Sequence, residues 1–86
     1  MCVIGIKFSD DPSSVRIAYT KHGKIYVRSG ADDFVTGREL QGSVEHLYNR
    51  YGYKHVIGNP RFSDRHELLQ NITRFSMNNK GTVEYS

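Results

Sequence analysis

The chain has no tryptophan, a single cysteine and only two prolines, and none of its apolar runs approaches the length needed to cross a bilayer. One thiol, Cys2, excludes an intrachain disulfide and any zinc site built from clustered cysteines. It is read as a small core residue rather than a nucleophile, because an N-terminal-nucleophile hydrolase needs a far larger fold. No charged segment followed by an apolar stretch opens the sequence, so a cytoplasmic location without membrane contact is expected. Enzyme signatures are equally scarce. The histidines His22, His46, His55 and His66 never fall at the i, i+4 spacing that sets two imidazoles on one helix face, and no carboxylate stands beside them in a ligand pattern. The sequence predicts no catalytic residue, no metal and no cofactor.

What is present is a slight cationic excess, twelve lysines and arginines against nine acids, giving a net charge of +3. Such an excess favours polyanionic partners without requiring one. With 37% hydrophobic and 24% charged residues among 86, the chain has the composition of a globular protein and is read as a single domain, 1–86. Its most informative stretch is Val15 to Ser29, V-R-I-A-Y-T-K-H-G-K-I-Y-V-R-S, which reads as a β-hairpin. A two-residue turn at His22-Gly23 would pair Tyr19 with Tyr26 and Ile17 with Arg28, mixing charge with apolar side chains. A three-residue loop, Lys21-His22-Gly23, separates them instead: Val15, Ile17, Tyr19, Ile25 and Val27 on one face, Arg16, Ala18, Thr20, Lys24, Tyr26 and Arg28 on the other. The second register is therefore predicted. It sets Arg16 across from Arg28, a like-charge pair that is unfavourable unless an anion lies between them.

Before the hairpin, Cys2 to Phe8 alternates as a half-buried strand with Cys2, Ile4, Ile6 and Phe8 on its apolar side, and Asp10-Asp11-Pro12-Ser13 reads as a turn. After it, Ser29 to Asp33 is a predicted loop. Thr36-Gly37-Arg38-Glu39 has capping-box spacing, and Leu40, Val44, Leu47, Tyr48 and Tyr51 recur at helical intervals up to Gly52, with Gly42 inside that helix. Tyr53 to Ile57 reads as an edge strand. Ser63 caps a second helix starting at Asp64, with Leu68, Leu69, Ile72 and Phe75 as its buried stripe. Thr82 to Tyr85 is a last strand. The predicted order β-β-β-α-β-α-β gives an α+β fold of two layers, an antiparallel sheet with two helices on one face.

In that arrangement the other face of the sheet is bare, and it bears Lys7, Arg16, Lys24, Tyr26 and Arg28. Aromatic rings set among cations suit RNA or single-stranded nucleic acid, since rings stack on bases and cations neutralise phosphates. Arg61 and Arg65, flanking the start of the second helix, are predicted to add a phosphate contact there. The expected protein is a small RNA- or single-strand-binding homodimer. As a short, basic, Tyr- and Asn-containing chain lacking enzyme motifs, it resembles accessory proteins of large tailed phages. That resemblance implies inhibition of a host defence factor such as a toxin endoribonuclease, by contact with protein and RNA. Six tyrosines and seven arginines also suit the alternative, an inhibitor or adaptor that works by protein contact alone.

Overall fold

At the middle of the molecule lies β2 (Arg16–Lys21), in which Ile17, Ala18 and Tyr19 are all completely buried. Consecutive residues of a strand point to opposite sides of a sheet, so three in a row without exposure means that both sides are covered. The computed structural model describes residues 1–10, 14–29 and 37–86, with the side chains of Ser29, Arg65 and Leu69 outside the description. In it β1 (Cys2–Lys7) and β3 (Lys24–Ser29) flank β2. Two short strands, β4 (Arg38–Glu39) and β5 (Lys54–His55), complete an antiparallel sheet of order β4-β3-β2-β1-β5. Around it lie α1 (Val44–Arg50), α2 (Arg65–Gln70), a 3-10 turn at Ile72–Arg74, and a hairpin of β6 (Phe75–Met77) and β7 (Val83–Tyr85). The class is α+β, as the pattern predicts.

His22 and Gly23 alone join β2 to β3. Their φ angles are 53° and 77°, the two left-handed residues of a type I′ turn, whose twist matches that of the strands it links. Lys21 then pairs with Lys24, Tyr19 with Tyr26, and Ile17 with Arg28. The three-residue loop is not formed. It was expected because an arginine facing apolar neighbours looked untenable, yet Arg28 is only 4% exposed. Its guanidinium lies 5.9 Å from the centre of the Tyr19 ring, and Tyr19 stacks on Tyr26 at 5.7 Å. A planar, weakly hydrated cation against an aromatic face tolerates burial far better than a lysine would.

A bulge in β1 decides which of its residues face which layer. Val3 pairs with Tyr19 and Gly5 with Ala18, leaving Ile4 as the extra residue. The Ile4 carbonyl accepts the Tyr48 hydroxyl at 2.8 Å and the Val56 N–H at 3.1 Å. In consequence Val3 and Ile6 join Ile17 and Tyr19 beneath Phe62, Leu68, Phe75 and Val83. Ile4 joins Ala18 beneath Leu47 and Tyr53 on the opposite side. The regular alternation expected for Cys2 to Phe8 is thus broken, and Phe8 is exposed. The helices divide between the two faces, α1 on one and α2 on the other, rather than sharing one, so neither face is left bare.

Helix α1 begins later than its apolar spacing suggests. Arg38 and Glu39 form β4 against Val27 and Tyr26, and Leu40 N–H donates to the Ile25 carbonyl, so this stretch belongs to the sheet. Thr36 lies outside the described residues, as do 11–13 and 30–33 of the predicted turn and loop. Ser43 takes the N-cap position, its N–H donating to His46 Nδ1 at 3.4 Å. Gly42 precedes the helix with φ of 119°, and a Cβ there would lie 2.8 Å from His46 Nδ1. Gly42→Ala combines that clash with a backbone region nearly closed to other residues, and is expected to cost about 1–3 kcal/mol in urea unfolding. Gly52, at φ 76°, ends the helix as predicted.

The second helix stops at Gln70, where Asn71 Nδ2 donates to the Glu67 carbonyl at 2.7 Å. Phe75 is buried all the same, from β6, and Ile72 packs half-buried against the same core from the 3-10 turn. Strand β7 pairs with β6 and meets the segment after β5 through a parallel bridge between Val56 and Val83.

Candidate nucleic-acid interface

The cations expected on one surface are spread over three places. Arg28 and Tyr26 turn into the layer under α2, with Arg28 buried and Tyr26 half-buried, so the predicted bare face does not exist. Lys7 and Arg16 are directly opposite one another, but on the α1 side and at the end of the strands away from the turn. The stem of Lys7 passes Gly52 at the foot of α1. Lys24 stands at the turn end, facing Lys21, with its ammonium 3.8 Å from Glu39. Arg61 lies across β1, in a bridge with Cys2. Arg65 opens α2, and its side chain is outside the description.

The turn end brings Arg61 next to Lys21. After β5 the chain returns along the free edge of β1: Val3 N–H donates to Pro60 O at 2.9 Å, Phe62 N–H to Met1 O at 2.8 Å, and the Met1 nitrogen to Phe62 O at 2.6 Å. This pairing places Arg61 beside Cys2, which pairs in turn with Thr20. Between Arg61 and the turn runs an open groove of about 550 Å³, lined also by Met1, Cys2, Thr20, Lys21, His22 and Gly23. The Cys2 thiol donates to Asn59 O at 3.2 Å, which gives it a structural task. Lys21 and Lys24, held opposite each other by the tight turn, repel by about 0.2–1 kcal/mol on the scale of cross-strand pairs. An anion in or beside the groove relieves that repulsion.

At the start of α2 the chain's own acids compete with any phosphate: Glu67 N–H donates to Asp64 Oδ1 at 2.9 Å, and Glu67 Oε2 accepts from Ser63 N–H at 3.0 Å and from Ser63 Oγ. Two carboxylates there oppose an incoming phosphate. The same bonds, from the Ser63 hydroxyl first and its backbone second, hold the Glu67 carboxyl below its ordinary range. A carboxyl lowered in the folded state stabilises the fold above its unfolded pKa, and that contribution disappears as pH falls through the folded value. Glu67→Gln is accordingly expected to flatten the acid side of a plot of unfolding temperature against pH.

Sequence reasoning missed Lys21 and His22, assigning both to a loop. The pairing of Lys21 with Lys24 was implicit in the two-residue turn that it weighed and set aside. Among the described residues no three His, Cys, Asp or Glu side chains converge in a metal-binding cluster, and no helix is long and apolar enough to cross a membrane. What the groove offers a ligand is positive charge, one imidazole and the Thr20 hydroxyl, which suits holding an oxyanion. Comparisons with protein families, with characterised proteins and with solved structures find no match to this chain.

Proposed function

We propose that this protein binds RNA or single-stranded nucleic acid by its phosphate backbone, at the groove beside the β2–β3 turn. The observation that carries this reading is the meeting of Lys21 and Arg61 on one open groove, with Lys24 held opposite Lys21 beside it and partly offset by Glu39. Tyr26 is half-buried against Tyr19, so base stacking contributes less than a bare aromatic face would provide. Recognition by phosphate contacts carries little sequence preference. With a handful of contacts, affinity is modest and falls steeply with salt. A protein of this kind acts as an inhibitor by occupying RNA that a nuclease requires, the role implied by the resemblance to phage accessory proteins.

A second reading, a protein-binding adaptor, draws on a different surface. Ile57 and Met77, 45% and 50% exposed, lie on either side of Val83 in β7, Ile57 through its N–H to the Val83 carbonyl and Met77 through cross-strand pairing. Exposed apolar side chains flanking one strand suit a protein partner.

Purification at low salt, followed by the ratio of absorbance at 260 to 280 nm and titration of a labelled oligouridylate at several salt concentrations, separates the two. Co-purifying nucleic acid and a steep salt slope support the first. Absence of polynucleotide binding at low salt, with a stoichiometric protein retained through purification, favours the second.

A further inference from the structure

Of the two residues that turn β2 into β3, one is an unusual occupant. His22 has φ of 53°, in the left-handed region, at the first central position of a type I′ turn, where asparagine, aspartate or glycine is the usual choice. Histidine tolerates that conformation, but the turn makes no use of its ring. The side chain is exposed and lines the groove together with Lys21 and Arg61. Beside it Gly23 faces open space, with no atom within 4 Å of where a Cβ would lie, so the rim is clear for a chain passing along it.

The other histidines are placed elsewhere. His46 Nδ1 accepts the Ser43 N–H at the start of α1, the His55 ring lies 5.3 Å from that of Tyr48, and His66 is exposed on α2. None of the three lines the groove. No hydrogen bond or ion pair among the described residues occupies the His22 imidazole.

The charged groups around that ring are mostly cations. Lys21 comes from β2 and Arg61 from the segment along β1, while Lys24 of β3 stands beside the groove with Glu39 of β4 at 3.8 Å. The Met1 ammonium is turned to the Phe62 carbonyl, and the Cys2 thiol to Asn59 O. Among the described residues no carboxylate lines the groove. Histidine is the side chain whose charge ordinarily changes between pH 5 and 8. Once protonated among these cations it is repelled by its neighbours, and a phosphate laid across them relieves that repulsion while gaining a further charged donor.

We infer that His22 is a phosphate-contacting residue of the groove and that its protonation sets the strength of binding, so that nucleic acid is held more tightly in mildly acidic than in mildly alkaline solution. This rests on the nucleic-acid reading proposed above and names the residue that makes that site respond to pH.

The test is titration of the whole chain with an oligouridylate lacking terminal phosphates, at about pH 5.5 and about pH 8 and at several salt concentrations, in wild type and in His22→Asn. Asparagine suits the turn and carries no charge at either pH, so the variant keeps its fold. Wild type is expected to bind about tenfold more tightly at the lower pH, with a slope of log affinity against log salt steeper by about 0.7, one added phosphate contact on a single strand. In His22→Asn both differences between the two pH values should largely disappear. Near neutral pH, added oligouridylate should move the His22 ring signal in the NMR spectrum toward its protonated position and leave those of His46, His55 and His66 in place. Equal pH dependence in wild type and His22→Asn, or none in wild type, overturns the inference and leaves the nucleic-acid reading standing. Absence of binding at either pH in low salt overturns both.

Discussion

Tyr19→Ala is expected to lose about 3–5 kcal/mol, the range for deleting a large aromatic side chain from a core, and so to leave much of the chain unfolded at room temperature. A domain of this size has roughly 5–15 kcal/mol in all, with small domains near the lower end. The loss is large because Tyr19 is completely buried and serves two neighbours at once. Its ring stacks on Tyr26 and faces the Arg28 guanidinium. Truncation opens a cavity and also strips a buried cation of the aromatic surface that makes its burial tolerable. Urea unfolding monitored by circular dichroism measures the loss. Tyr19→Phe, which keeps the ring, should retain most of the stability, and equal damage from both substitutions would mean that the hydroxyl rather than the ring is what matters.

The same residue shows where sequence reasoning succeeded and where it stopped. Alternation located β1, β2 and β3, and turn chemistry located the edge strand at Lys54–His55, the stop at Gly52 and the start of α2. Each is a local signal carried by a few adjacent residues. The register of the hairpin is not local. It was inferred from the premise that arginine must face water, and that premise fails wherever a tyrosine supplies a flat partner. The β1 bulge is equally invisible in sequence, because it is held by Tyr48 and Val56, some fifty residues away, reaching the Ile4 carbonyl. Leu40 and Phe75 sit at helical spacing from their neighbours and yet lie in extended segments, since a core contact from a strand can mimic the period of a helix. For the candidate site, solvent exposure was legible at Lys7, Arg16, Lys24 and Arg61. Which of them share a surface was not, since that follows from register and from the return of residues 60–62 along β1.

That distinction leads to the largest expected effect on binding. Lys21→Glu combined with Arg61→Glu removes two phosphate contacts and places two negative charges on the groove that the turn and the 60–62 segment create. Affinity for an oligouridylate should fall by about a hundredfold at low salt, and the slope of log affinity against log salt should become shallower by about 1.4, at roughly 0.7 per contact on a single strand. Stability should barely change, because Arg61 is exposed and Lys21 is at the turn end of its strand. Arg28→Gln is the complementary case. It removes a cation of the same sign from the same hairpin, but one that is 4% exposed beneath the ring of Tyr19. Its effect should be read in the unfolding curve and hardly at all in the salt slope. If Arg28→Gln instead changes the slope while the Lys21/Arg61 double variant does not, nucleic acid does not bind at the turn end, and the hairpin opens its other face when it binds.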